Sequence, residues 1–206
     1  MTVDDSPRWE QVTTGTIIDR LLLEAPTHCV CIVGIDGRSR SGKTALAATL
    51  ASATEHRAAV IHTDDIAWHH SFFDWTELLI IGILEPLRRY GPPVSHTPQA
   101  WIDRGRPGAI DVPADTRLVI IEGVAATRQE LALWFNATIW VDTPPQLSLQ
   151  RTRELDRDPP GFVEDWMRAE NAHLERDRPW NRASLIVSGA ERPADTRALY
   201  TRSVEH

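Results

Sequence analysis

The eight residues Gly37-Arg38-Ser39-Arg40-Ser41-Gly42-Lys43-Thr44 lie between an apolar, β-branched run (VCIVGI) and a stretch of strong helix formers (TALAATLASA). This arrangement restricts the chain more than any other feature. It is a complete G-x-x-x-x-G-K-[ST] pattern in the strand–turn–helix context that its chemistry requires. The glycines let the backbone curl so that successive amides point inward, and the following helix adds its positive end. Lys43 is then placed to reach the β- and γ-phosphate oxygens, and the Thr44 hydroxyl to ligate Mg²⁺. The whole run from Gly37 to Thr44 is therefore read as a cradle for a nucleoside triphosphate. Such cradles serve kinases, GTPases and motor ATPases alike, so the reaction has to be read from other residues.

Further apolar runs are short and alternate with helical segments. AAVIH (58–62), RLVIIEG, ATIWVDT and SLIVSG read as strands, and QLSLQRTRELDRD and the stretch from about Phe162 to Arg176 as helices. Residues 9–24 (WEQVTTGTIIDRLLLE) read as an amphipathic helix. DWTELLIIGILEPLRRYG reads as a nearly all-apolar helix capped by Asp74, with Gly82 and Pro86 interrupting it. Residues 91–116, rich in Pro and Gly, are expected to form loops with a small hairpin. Strands separated by helices predict an α/β fold, a parallel sheet covered on both faces, within one domain spanning residues 1–206. Ligands of such sheets bind beyond the carboxyl ends of the strands.

A formal net charge of −7 argues against a nucleic-acid partner, which requires a cationic face to displace counterions. No apolar run approaches the ~20 residues that span a bilayer, so no membrane partner is expected. The N-terminus lacks the basic start and apolar core of a signal peptide, and a cytoplasmic location is expected. Cys29 and Cys31 are read as buried strand thiols. A homodimer is compatible with the sequence but not indicated by it.

Each remaining polar cluster falls at a strand end. Asp64 and Asp65 follow AAVIH; only one of two adjacent residues can face a nucleotide, and Asp64 is favoured. Phosphoryl transfer to a hydroxyl needs a carboxylate to orient the acceptor and take its proton, and others to hold the metal. Glu122, at the tip of RLVIIEG, suits a Mg²⁺-bound water. Arg151, Arg153 and Arg157 are donors that can stabilise charge on a transferred phosphoryl group. Among eight tryptophans, Trp68, Trp75 and Trp101 lie in segments expected to line the acceptor side, with Trp68 and Trp101 the candidate substrate contacts. Trp134, Trp140 and Trp166 are read as core. No Asn-Lys-x-Asp guanine reader is present, which weighs against a GTPase switch.

In order along the chain, GIDGRSRSGKT, TDD, FFDWTELL with ILEPL, IIEGV, VDTPPQLSLQRTRELDRD and RASLIVSG resemble the uridine kinase and phosphoribulokinase-like branch of P-loop kinases. The resemblance implies a P-loop NTPase three-layer sandwich, its five-stranded parallel sheet in the order 2-3-1-4-5, with a lid over about 151–162. It implies transfer of the γ-phosphate of ATP, with Mg²⁺, to a small-molecule hydroxyl, most naturally on a nucleoside. Asp64 corresponds to the catalytic base and Glu122 to a magnesium-holding glutamate. Arg151 and the Arg157-Asp158 pair match the lid, and Asp74 falls near the acceptor pocket. The Pro-x-Tyr-Asp segment of uridine kinases is replaced by SHTPQAWIDRGR, which leaves sugar or pantothenate-type acceptors as alternatives.

Overall fold

The computed structural model describes residues 9–26, 29–154, 161–191 and 193–202 of the 206-residue chain. The first described element is a strand, β1 (Glu10–Thr13), which turns into helix α1 (Thr14–Leu23). The expected helix over 9–24 is therefore shorter by its first turn. Thr13 caps α1 by accepting the Thr16 amide at 3.2 Å, which ends the strand where the helix begins.

β2 (Cys31–Gly37) is buried at every position, runs into the glycine loop, and is followed by α2 (Lys43–Ala53). Cys31 is buried and its thiol is pushed up to about 11 by burial. Cys29 lies outside the strand and is exposed, contrary to the reading of two buried thiols. β3 (Arg57–His62) leads into the short helix α3 (Thr63–Ile66).

The apolar segment that follows is one interrupted helix: α4 (Thr76–Leu79), a π-helical turn (Ile80–Leu84) and α5 (Glu85–Tyr90). Asp74 does not cap it; Trp75 occupies the cap position, with no side-chain hydrogen bond to the helix. Gly82 is explained by close approach, because a Cβ there would sit 2.6 Å from the His96 ring. His96 belongs to β4 (Val94–His96). After α6 (Gln99–Asp103), β4 pairs antiparallel with β5 (Ile110–Val112), giving the small hairpin expected in 91–116.

β6 (Thr116–Glu122), β7 (Ala137–Asp142), α7 (Pro145–Arg153), α8 (Phe162–Asp177), β8 (Leu185–Ser188) and β9 (Ala198–Arg202) complete the chain. The main sheet runs β1-β9-β8-β7-β2-β6-β3. Its parallel part, β3-β6-β2-β7-β8, has the predicted order. The two further strands are a departure from the expected five: β9 pairs antiparallel with β8, and β1 with β9.

Alternation along β2 divides the core. Cys31, Val33 and Ile35 join Ile17, Leu21, Leu46 and Leu50 of α1 and α2 on one face. Ile32 joins Ile61, Ile121, Trp75, Ile83 and Leu84 on the other. Burying each such side chain is worth roughly 1.5–3 kcal/mol, which fixes both faces of the strand that delivers the glycine loop. Among the described residues no helix is long and apolar enough to cross a membrane.

Candidate active site

The loop Gly37–Gly42 turns at the carboxyl end of β2 on left-handed residues, with Arg40 at φ 57° and Gly42 at φ 105°. No protein atom lies within 4 Å of where a Gly42 Cβ would be, so backbone conformation alone demands glycine there. Three consecutive carbonyls of the loop are held from behind. Ser148 Oγ donates to Ser39 O (2.5 Å), Arg151 Nη1 to Arg40 O (3.2 Å), and Thr143 Oγ1 to Ser41 O (3.1 Å). Carbonyl and amide of a trans peptide point opposite ways, so tying back the Ser39 and Ser41 carbonyls helps to turn the Arg40 and Gly42 amides inward. Gly189, at the end of β8, packs so closely that a Cβ would collide with the Thr143 hydroxyl and the Ser41 carbonyl.

Register brings the carboxylates to the loop. Glu122 ends β6, opposite Ile35 of β2 and His62 of β3. Its Oε1 accepts Thr44 Oγ1 at 2.9 Å and lies 2.5 Å from His62 Nδ1. Burial alone would raise the Glu122 carboxyl, but the His62 hydrogen bond, the Lys43 charge and the Thr44 hydroxyl hold it below its ordinary range. Gly123 follows because a Cβ there would overlap the Thr63 side chain.

Asp64 and Asp65 part ways on α3. Asp65 pairs with Arg106 at 2.6 Å, while Asp64 lines the cavity with Lys43, Thr44 and Glu122. Desolvation raises the Asp64 carboxyl; Lys43 opposes this and Glu122 adds to it. A carboxylate raised in this way accepts a proton more readily. Lys43 is 7% exposed, donates to the Arg38 carbonyl at 2.8 Å, and is pushed down by burial against four surrounding carboxylates.

The cavity measures about 600 Å³, within the range of small-molecule sites. Of the sequence-predicted residues, Ser39, Arg40, Gly42, Lys43, Thr44, Asp64, Glu122 and Arg151 line it. Gly37 and Ser41 shape the loop from within, and Arg38 turns away to Asn171 (2.7 Å) and Glu170 (3.4 Å). Arg153 is exposed and off the cavity wall, as is Asp74; Arg157 lies outside the described residues. Trp101 is buried, with its indole N–H donated to the Asp65 carbonyl at 3.0 Å. Trp68 is half-buried against the core, and the Arg106 guanidinium lies 5.1 Å from its ring and 3.6 Å from that of Trp101.

Two groups escaped the sequence reading. Trp166, read as core, lines the cavity and meets Phe72 edge-on at 4.9 Å. Asp36 is fully buried at the end of β2 and accepts four hydrogen bonds, from the amides of Gly37, Ala125 and Thr127 and the Thr127 hydroxyl. The only available signal was a charge inside an apolar strand.

The lysine-bearing glycine loop and the Asp64 carboxylate open on one cavity, an arrangement that can hold phosphate beside a proton acceptor. Uridine kinases of Aliivibrio fischeri and Aliivibrio salmonicida are each 28% identical over 149 residues, 63% of this chain and 68% of theirs. The chain is a small-molecule kinase similar to these uridine kinases. The solved structure of a possible uridine kinase from Bacillus stearothermophilus shares the fold, with a TM-score of 0.57 at 22% identity over 84% of this chain and 96% of that one. No protein-family model matches the sequence. The kinase thus uses a nucleotide as phosphoryl donor and a small molecule as acceptor.

Proposed function

We propose that this kinase transfers the γ-phosphate of ATP to a hydroxyl of a nucleoside-like small molecule, with Asp64 as the base. The reading rests on one observation: Asp64 and Lys43 open on the same cavity, while the neighbouring Asp65 is committed to Arg106. Gly37–Thr44 and Lys43 would hold the phosphates, and Arg151, with Arg153 and Arg157 of the lid segment, would meet charge on the transferred group.

The oxygen donors Thr44, Glu122 and Asp64 fit Mg²⁺. Among the described residues no cluster of three or more His, Cys, Asp or Glu side chains could hold a metal. Mg²⁺ characteristically takes only one or two carboxylates, with phosphates and water completing its shell. When bound, the ion supplies neutralisation of charge along the phosphates. Asp64 orients the acceptor hydroxyl and receives its proton on a carboxylate oxygen, a task that its upward-shifted affinity favours.

A nucleoside acceptor is supported by the names of the Aliivibrio relatives and by the indole of Trp166 on the cavity wall, with Phe72 packed against it. Trp68 stays a candidate contact. Trp101 would act by holding Asp65 and Arg106, and the exposed Asp74 would have to act from outside the present cavity wall. The test is to incubate the protein with ATP, Mg²⁺ and a panel of nucleosides and sugars and to measure ADP. Acceptor-dependent ADP with a nucleoside supports the reading. Turnover only with a sugar corrects the acceptor class, and acceptor-independent turnover defeats the transfer reading.

A further inference from the structure

The peptide unit joining Arg38 to Ser39 is gripped at both ends. Its carbonyl accepts Lys43 Nζ at 2.8 Å and the Ser41 amide at 3.0 Å. Its N–H is donated to Glu170 Oε1 at 2.6 Å. Glu170 is 2% exposed and sits on α8, 131 residues along the chain. The side chain of Arg38 repeats the connection through Asn171, the next residue of α8.

The same face of α8 reaches the cavity through Trp166. Trp166, Glu170 and His173 fall at i, i+4 and i+7, so they share a stripe. Trp166 and His173 both stack on Phe73, at 5.8 and 4.9 Å, and Trp166 lines the cavity. Both carry a buried ring N–H or N with no partner, Trp166 Nε1 and His173 Nε2. An unpaired buried polar atom is costly, so this seat of α8 is incompletely satisfied.

On the kinase reading given above, a triphosphate draws Lys43 toward its oxygens and away from the Arg38 carbonyl. We propose that Glu170 is a positioning residue. Through the Arg38–Ser39 peptide it reports occupancy of the glycine loop to α8, and so sets the Trp166 wall for the acceptor. A rigid peptide plane cannot change at its carbonyl end without moving its N–H end, which supplies the mechanical link. Nucleotide and acceptor sites are then coupled through one short path of named contacts.

The test uses the full chain with Mg·ADP as the probe, which requires no knowledge of the acceptor. Calorimetry gives ADP affinity, and hydrogen exchange followed by mass spectrometry reads the amides of α8. In the wild-type protein ADP slows exchange across Phe162–Asp177 by roughly tenfold. Glu170→Ala keeps ADP affinity within about threefold but loses most of that slowing. Glu170→Gln, whose amide oxygen still accepts the Ser39 N–H, restores it; this separates coupling from a general loss of stability and serves if the alanine variant does not fold. Slowing in Glu170→Ala equal to wild type, or none in a wild-type protein that binds ADP, overturns the proposal. Failure of the wild-type protein to bind ADP at all would instead bring down the kinase reading.

Discussion

Asp36 and Thr127, separated by 91 residues, meet twice: Asp36 Oδ2 accepts the Thr127 amide at 2.9 Å and its hydroxyl at 3.0 Å. The other oxygen takes the amides of Gly37 and Ala125. A buried carboxylate therefore fastens the start of the glycine loop to the loop that follows β6, the strand carrying Glu122. Burial drives Asp36 upward, and the Thr127 and Gly37 amides, the Lys43 charge and the Thr127 hydroxyl oppose it without cancelling it. Replacing Asp36 by alanine strands those donors without solvent. A loss of about 3 kcal/mol or more in urea unfolding is expected, with the asparagine variant in between. A loss below ~0.5 kcal/mol for Asp36→Ala would show that the carboxylate does not hold the two loops together.

Asp64→Asn removes a proton acceptor while leaving the glycine loop untouched. Turnover should fall by about 10²–10⁴-fold with ATP affinity nearly unchanged. Lys43→Ala should impair both binding and turnover, because the proposed role of Lys43 is to hold phosphate. Steady-state kinetics together with calorimetry separate the two patterns. An active Asp64→Asn enzyme would remove Asp64 from the role of base.

Gly189→Ala tests whether β8 supports the loop from behind. The added methyl meets the Ser41 carbonyl, which is backbone and cannot rotate away. Overpacking of this kind costs about 1–3 kcal/mol, and ADP affinity should drop with it because the displaced atom belongs to the loop. Trimming Thr143 to alanine should not rescue binding, since the Ser41 clash remains. ADP affinity at the wild-type level in Gly189→Ala would refute the contact.

The His62–Glu122 pair should leave a signature in the pH dependence of stability. The Glu122 hydrogen bond holds His62 above its ordinary value of 6.5, with burial opposing. A histidine raised on folding contributes fully below its unfolded pKa, and loses that contribution as pH rises through the folded one. Glu122, held below its ordinary 4.5, contributes above that value and loses its contribution as pH falls through the folded pKa. The joint contribution is thus complete between about pH 4.5 and 6.5 and fades above that window. His62→Ala should lower the Tm more at about pH 5.5 than at about pH 9. An equal deficit at both would rule the pair out as a stabilising contact.

The features written in contiguous residues were legible before the structure. The glycine loop, the parallel strands in their order, and Asp64 and Glu122 at strand ends all follow from local pattern. β1 was hidden because EQVT precedes a helical period and becomes a strand only by pairing with β9. β9 itself is five residues, ALYTR, too short to read as a strand until β8 and β1 pair with it. Trp166 and Glu170 were missed for a related reason. Nothing within α8 says which neighbour its stripe will face, and the partners Phe72, Phe73 and Ser39 lie about a hundred residues away. Only the i, i+4, i+7 spacing could have singled out that stripe.

Arg106 lies across the rings of Trp68 and Trp101 and is pinned by Asp65, beside the carboxylate assigned to proton transfer. These four side chains already hold one another in place through the ion pair and the stacked guanidinium. A visitor settling next to Asp64 therefore meets a surface with little left to freeze, so discrimination there should come from shape and fixed donors more than from adjustment to the guest.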